Sequence, residues 1–262
     1  MRVIFLGTGE AYTKKRNNTS ILIEGEENLL IDCGFTTPYA LGKYNEDKDF
    51  IDYLFISHFH GDHVAGLPLL CMKWRQEKRT KKLTIIGPRG IKNYFYQLFE
   101  MLFRGFSNKS TFPIKTIEVQ SNQKIILGKF NLEFANGSHL IGETNVEVIA
   151  IRVTYDNKSI LYSGDTIYST NIEKLAKACD LLIHEAYMPA ESSYHAMKAH
   201  CSPLEAGKIA KRADVNKLAI VHVHRNYSEK TEEIVAEASQ EFKGEIIVPK
   251  DMDLIEIKSS CK

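Results

Sequence analysis

His58, His60, Asp62 and His63 fall within the single stretch Ser57-His58-Phe59-His60-Gly61-Asp62-His63, which gathers three of the chain's nine histidines and one carboxylate. Imidazole nitrogen and carboxylate oxygen together suit Zn, Fe, Mn or Ni, and the lack of cysteine in the stretch argues against a structural thiolate zinc site. In an extended segment residues 58, 60 and 62 share one side while His63 turns to another. One short stretch therefore offers ligands in two directions, as two neighbouring metals need.

The cluster follows Asp52-Tyr53-Leu54-Phe55-Ile56, an apolar run with aromatic and β-branched content that reads as a short buried strand. The cluster thus lies on the loop leaving a strand end. Three more donors stand at similar places: His139 in Ala135-Asn136-Gly137-Ser138-His139, Asp165 in Leu161-Tyr162-Ser163-Gly164-Asp165-Thr166, and His222 after Leu218-Ala219-Ile220-Val221. Each alone reads as an ordinary strand-end polar residue or a capped turn. Beside the cluster they gain meaning, because loops at strand C-termini are where sites converge in layered α/β folds.

The elements that must position these residues alternate along the chain. Strand-like patterns occupy residues 3–6, 20–24, 29–32, 53–57, 83–86, 124–127, 132–134, 147–154, 159–163, 181–184, 218–222 and 246–248. Helical patterns fit residues 64–78, 91–103, 172–177, 203–213 and 230–242, with Ser202 as N-cap and Pro203 in the first turn of the fourth. Interleaved strands and helices predict an α/β or α+β layered domain. No Pro-, Gly- or Ser-rich linker divides the chain, so residues 1–262 are expected to form one domain. There is an internal echo. Asn28–Asp32 followed by Asp52–His58 resembles residues 158–165 followed by 180–184, each a strand ending in Asp, a connection, and an Asp-initiated apolar strand ending in His. Two similar halves, about residues 1–135 and 136–262, are the expectation.

With 262 residues, 44% of them hydrophobic, the chain can bury a substantial core. A net charge of +1 gives no global pull towards nucleic acid or membrane. No apolar run approaches the roughly 18 residues of a spanning helix, and the N-terminal apolar stretch is too short for a signal peptide. The five cysteines, Cys33, Cys71, Cys179, Cys201 and Cys261, are scattered and unpaired in spacing, as reduced packing thiols would be. A soluble cytoplasmic protein, without membrane association, is expected.

The stretch from Ser57 through His58-Phe59-His60-Gly61-Asp62-His63 to Gly66-Leu67-Pro68 resembles the HxHxDH signature of the metallo-β-lactamase superfamily. Phe5-Leu6-Gly7-Thr8-Gly9, Leu30-Ile31-Asp32-Cys33-Gly34, His139, Ser163-Gly164-Asp165-Thr166 and His222 resemble its other signatures in order, across nearly the whole chain. Gly66-Leu67-Pro68, Arg16-Asn17-Asn18-Thr19-Ser20, His184-Glu185-Ala186 and Ala199-His200-Cys201-Ser202 point within it to the ribonuclease Z branch and related phosphodiesterases. The resemblance implies a four-layer αβ/βα sandwich and two zinc ions, with Mn or Fe fitting the same donors. One ion would be held by His58, His60 and His139, the second by Asp62, His63 and His222, with Asp165 bridging. It also implies a homodimer.

Two metals about 3.5–4 Å apart share a hydroxide at near-neutral pH and clamp phosphoryl oxygens. Asp62 would hold or deprotonate that bridging water, His200 would protonate the leaving oxygen, and Glu185 would orient His200. As residues alone, His200 also reads as a surface histidine beside Ser202, and Glu185 as a strand-end carboxylate paired with Lys or Arg. His184, His195 and His224 are expected to be structural or peripheral. The function expected is a metal-dependent phosphodiesterase acting on a small or cyclic phosphodiester or an RNA 3′ end. Alternatives are a tRNA 3′-processing endoribonuclease proper, an ester, thioester or lactone hydrolase on the same scaffold, and a non-catalytic metal-binding sensor. Residues 73–82, Lys-Trp-Arg-Gln-Glu-Lys-Arg-Thr-Lys-Lys, would bind RNA phosphates and stack a base on Trp74, or else form a solvated helix end with Trp74 in the core. Ribonuclease Z proteins typically carry a long arm between the positions matching His139 and Asp165. Here only residues 140–164 intervene, mostly as two strands, which leaves no room for one.

Overall fold

Val3 and Phe5 face one way from the first strand and Ile4 and Leu6 the other, and all four are fully buried. A strand apolar on both faces belongs between two layers. Val3 and Phe5 join a core shared with Phe130, Ile151 and Ile183, whereas Ile4 and Leu6 pack with helical residues such as Leu70, Trp74 and Phe95. In the second half Ile183 and Val221 face the shared core, while Leu182 and Ile220 face Ile209, Ala210 and Ile234 of a second helical layer. The resulting order is helix, sheet, sheet, helix, the αβ/βα sandwich expected from the resemblance. The structure is a computed structural model and describes residues 1–105, 112–141, 144–191 and 199–257.

The first half runs β1 (Arg2–Gly7), β2 (Ser20–Glu24), β3 (Leu29–Ile31), α1 (Thr37–Tyr44), β4 (Tyr53–Phe55), α2 (Gly61–Val64), α3 (Leu67–Gln76), β5 (Leu83–Gly87), α4 (Ile91–Leu102) and β6 (Ile114–Glu118). There follow β7 (Lys124–Leu127), β8 (Phe130–Asn136), a small hairpin of β9 (His139–Ile141) and β10 (Thr144–Val146), then β11 (Ile149–Tyr155) and β12 (Lys158–Tyr162). The chain closes with α5 (Thr170–Leu175), β13 (Leu181–Glu185), α6 (Pro203–Ala213), β14 (Lys217–Val221), α7 (Thr231–Ala238), β15 (Glu245–Ile247) and β16 (Leu254–Glu256).

One seven-stranded sheet has the order β16-β1-β2-β3-β4-β5-β6 and the other β15-β14-β13-β12-β11-β8-β7. The echoed segments hold corresponding places. Ile31 pairs with Phe55 across the parallel β3–β4 step, and Tyr162 with Ile183 across the parallel β12–β13 step. The sheets do not divide at residue 135: β7 and β8 belong to the second sheet, and β16 returns to the first beside β1.

Most expected strands lie within two or three residues of the observed ones, and α6 has the expected bounds, with Ser202 and Glu205 forming a capping box. The expected helix over residues 64–78 is instead two helices. The Gly66 N–H leaves the helical ladder to donate to the Cys33 carbonyl at 2.9 Å, which separates α2 from α3. Four free cysteines, Cys33, Cys71, Cys179 and Cys201, are buried as expected, and Cys261 lies outside the described residues. Among the described residues no helix is long and apolar enough to cross a membrane.

Candidate metal centre

The seven expected ligands come together at one end of the sandwich, from loops that follow β4, β8, β12 and β14. Two groups form: His58, His60, His139 and Asp165, and Asp62, His63, Asp165 and His222, with the donor atoms of each within 4.8 Å of one another. The expectation that Asp62 shares a side with His58 and His60 is overturned. Helix α2 begins at Gly61, so the chain coils before Asp62 and turns that carboxylate to the same group as His63. Extended alternation holds only as far as His60, the N-cap, whose ψ is 147°.

Hydrogen bonds fix which nitrogen three of the histidines present. The His63 Nδ1–H donates to Asp32 Oδ2 at 2.8 Å, and the His139 Nδ1–H donates to the Ala199 carbonyl at 2.5 Å. The Ser57 hydroxyl donates to Asp32 Oδ2 at 2.8 Å, so at 3.0 Å it accepts from the His58 Nδ1–H. Each of these imidazoles therefore turns the bare Nε2 inward, the tautomer a metal ligand needs. Asp32 is also held by the Ser57 N–H at 2.7 Å and the Tyr162 hydroxyl at 2.9 Å. His222 sits in left-handed backbone at φ 57°, a conformation uncommon outside Gly, Asn, Asp and His, and its N–H is tied to the Thr8 carbonyl at 2.9 Å.

The inward atoms are mostly acceptors that have nothing to accept from. His63 Nε2 lies 3.3 Å from Asp62 Oδ2 and 3.4 Å from Asp165 Oδ1. His222 Nε2 lies 3.3 Å from both Asp62 Oδ2 and Asp165 Oδ2. His63 Nε2 and Asp165 Oδ1 are buried without a hydrogen bond. Such a buried cage of lone pairs needs a cation, and its donors fit divalent metal. Without one, protons take that part. Burial alone would lower His63, but Asp165, Asp62 and Asp32 outweigh it and hold it above its ordinary value. Burial is likewise outweighed by Asp165 at His222, which is pushed up to about 9. Burial works against ionising Asp62 and Asp165, yet His63 and His222 hold both carboxyls below the usual range.

His200 and Glu185 meet beside this cage. His200 Nδ1 is 2.9 Å from Glu185 Oε1, which also accepts the Thr166 N–H at 2.8 Å. Thus Glu185 pairs with His200 rather than with Lys or Arg. The His200 ring stacks on Tyr187 at 4.3 Å between centroids, and lies 5.4 Å from the His222 ring. Burial lifts the Glu185 carboxyl, with Asp165 adding to it, and burial lowers His200 to about 4. The segment Ala199-His200-Cys201-Ser202 thereby holds His139, meets Glu185 and caps α6 in turn. Tyr187 and Ser57 escaped the sequence reading. An aromatic two residues after Glu185 and a hydroxyl next to His58 were the available signals. His184 and His224 are buried but belong to neither metal group, and His195 lies outside the described residues.

The basic run 73–82 does not offer Trp74 as a stacking platform. Trp74 is buried in the helical core, with the Arg79 guanidinium 4.7 Å from its ring centroid. Arg79 is itself fully buried and donates to the carbonyls of Lys48, Ile51, Lys81 and Lys82. Lys73 pairs with Glu77, and Lys81 with Asp52 at 2.7 Å.

Relatives share the whole architecture. The chain is 28% identical to a ribonuclease Z of Haloarcula marismortui over 302 residues, covering 96% of this chain and 95% of that protein. It is 29% identical to a ribonuclease Z of Pediococcus pentosaceus over 310 residues, covering 98% and 99%. Among solved structures, the metallo-β-lactamase fold protein YhfI from Bacillus subtilis aligns with a TM-score of 0.81 at 24% identity, covering 97% of this chain and 98% of that one. The short form of human tRNase Z aligns with a TM-score of 0.79 at 24% identity, covering 99% and 100%. A sequence model described as anti-Pycsar protein Apyc1 matches residues 1–209, most of the chain and all of the seven donors but His222. On a metallo-β-lactamase fold, and with ribonuclease Z among its relatives, this chain belongs to the anti-Pycsar protein Apyc1 family.

Proposed function

We propose that the protein is a dinuclear metal-dependent phosphodiesterase acting as a single domain on a small or cyclic phosphodiester. The observation that carries the reading is Asp165, whose carboxylate is common to both donor groups. A shared carboxylate with three further donors on each side is the arrangement two adjacent divalent ions need. Two zinc ions are the proposed loading, with Mn or Fe suited to the same donors. Bound there, the ions supply an acidified water and positive charge for the phosphoryl oxygens.

The chain's own residues do the rest. Asp62 lies beside both His63 and His222 and is positioned to hold the attacking water's proton. His200, oriented by Glu185, is the group that returns a proton to the leaving oxygen. Burial disfavours charge on this pair until the negative charge of the leaving oxygen arrives beside it, which favours protonated His200 when that proton is needed.

The short connection between His139 and Asp165 supports the proposed substrate class. The alignments to ribonuclease Z exceed the 262 residues of this chain, so those relatives carry segments that it lacks. Between His139 and Asp165 the described residues form only β9, β10, β11 and β12. The relatives' name favours RNA 3′ ends as the second reading. A cytoplasmic homodimer is the proposed assembly, to be read by light scattering. The test of the chemistry is Asp62→Ala on bis(p-nitrophenyl) phosphate, with metal content measured in parallel. Turnover should fall at least a hundredfold, and unchanged turnover refutes the mechanism. A panel of cyclic phosphates run beside a pre-tRNA with a 3′ trailer separates the two substrate readings.

A further inference from the structure

The side chain of His222 is held differently from those of the histidines around it. His58, His63 and His139 are each fixed by a hydrogen bond at Nδ1. The Nδ1 of His222 is buried, and among the described residues it makes no hydrogen bond. Its ring meets those of His63 and His200 at 5.3 and 5.4 Å between centroids, contacts that confine the ring without fixing a nitrogen. Where Nε2 points therefore depends on the backbone. That backbone stands at φ 57°, a conformation that persists only where the surroundings hold it.

The hold comes from the opposite sheet. His222 follows β14 of the second sheet, and its N–H donates at 2.9 Å to the carbonyl of Thr8, which follows β1 of the first. Gly9 and Val223 continue the contact as a parallel bridge. Thr8 is fully buried and is itself gripped by Asp251. The Thr8 N–H and hydroxyl both donate to Asp251 Oδ1 at 3.0 Å, and the Asn17 N–H donates to Oδ2 at 2.5 Å. The turn carrying Asp251 is anchored on β1: the Met252 N–H donates to the Phe5 carbonyl at 2.6 Å, and the Phe5 N–H to the Asp253 carbonyl at 2.9 Å. Arg16 closes the frame. Its guanidinium donates to the Thr8 hydroxyl oxygen and the Pro249 carbonyl, each at 3.2 Å, and to the carbonyl of Ser228 beyond His222. Three donors converge on the Asp251 carboxylate. An amide could not serve them, because its NH2 would face the N–H of either Thr8 or Asn17. Asp251 stands in neither donor group, yet it reaches one of them through a single residue.

We propose that Asp251 is a positioning residue for the second metal ion. Through Thr8 it sets the backbone of His222, and with it the place of that ligand opposite Asp62 and His63 on the other sheet. The proposal rests on the dinuclear reading of the site.

The test titrates Zn2+ into the metal-free full chain in competition with a chromophoric chelator, which resolves the number of ions bound and the affinity of each. The His222→Ala variant identifies which binding step belongs to the second ion. Asp251→Asn should weaken that same step by about 10- to 100-fold, the usual effect of losing a group behind a ligand, and leave the other step within a few-fold of wild type. Thr8→Val, which keeps the carbonyl to His222 but removes the hydroxyl from Asp251, should weaken the same step by a smaller factor, and Thr8→Ser should restore it. The Thr8 pair carries the test should Asp251→Asn not fold. Wild-type affinity at both steps in Asp251→Asn or in Thr8→Val overturns the positioning role, and so does an equal loss at both steps, which is the mark of general destabilisation. Binding of only one ion by the wild type refutes the dinuclear reading itself, and the proposal with it.

Discussion

Asp32 and His63, 31 residues apart in sequence, are joined by a 2.8 Å hydrogen bond from imidazole Nδ1 to carboxylate Oδ2. Asp32 also accepts from Ser57 and Tyr162, so every polar group around it is a donor. Asn at this position would turn an amide N–H towards one of those donors and lose the charge that favours Nδ1–H on His63. Asp32→Asn should weaken metal binding by about 10- to 100-fold, the usual effect of removing a partner behind a ligating histidine. Competition with a chromophoric chelator measures it. Affinity equal to wild type would show that His63 needs no such orientation.

Gly34 packs where no side chain fits. A Cβ there would lie 1.9 Å from the Asp62 carbonyl oxygen, a backbone atom that cannot swing aside. Gly34→Ala should therefore push α2 and its Asp62–His63 pair away from β3. A destabilisation of about 3 kcal/mol or more is expected, as for overpacking against fixed structure. Thermal denaturation and metal titration should both register it. Gly42→Ala, with only the end of the Lys73 side chain 4.0 Å away, is the matched control and should stay close to wild type.

Arg79 decides what residues 73–82 are for. Replacing it by Met takes the donor from the carbonyls of Lys48, Ile51, Lys81 and Lys82, of which Ile51 is buried, while roughly keeping the side chain's bulk. A loss of about 3–5 kcal/mol is expected, measured by urea unfolding. Lys at the same position reaches too few of the carbonyls to restore more than part of it. An Arg79 variant with wild-type stability but weaker RNA binding would instead revive the nucleic-acid role.

The donors were legible in the sequence because metal ligation demands particular residue types, and because strand-end placement survives errors of a residue or two in strand limits. Burial on both faces wrote β1, β4 and β13 as continuous apolar runs. The strands that escaped were the short hairpin of β9 and β10 and two edge pieces, β6 and β16, which have half-exposed or exposed side chains throughout and carry little hydrophobic signal. The two-turn helix α1 escaped because Pro38 and the surrounding threonines read as a loop. The break between α2 and α3 was hidden because its cause, the Cys33 carbonyl, lies more than 30 residues upstream of Gly66. The same holds for the bond from Ala199 to His139. Contacts of that range are set by the assembled sheets and have no local trace.

His184 supplies a pH dependence separable from the metal. It is fully buried on β13, its Nδ1–H donates to the Glu185 carbonyl at 2.6 Å, and its Nε2 has no partner. Burial lowers its pKa to about 4 from an ordinary value of 6.5. Because the folded value is depressed, the unfolded chain binds the proton first as pH falls. Stability is therefore fully present above about 6.5, declines as pH drops from there towards 4, and levels off below. The whole contribution is on the order of 3 kcal/mol at about 1.4 kcal/mol per unit. Urea unfolding of the metal-free protein at pH 7.5 and pH 5 isolates it, by difference between wild type and His184→Asn. Wild type should lose more stability than the variant over that interval, since Asn carries no titrating proton. Equal losses would mean that His184 is not held neutral by its burial.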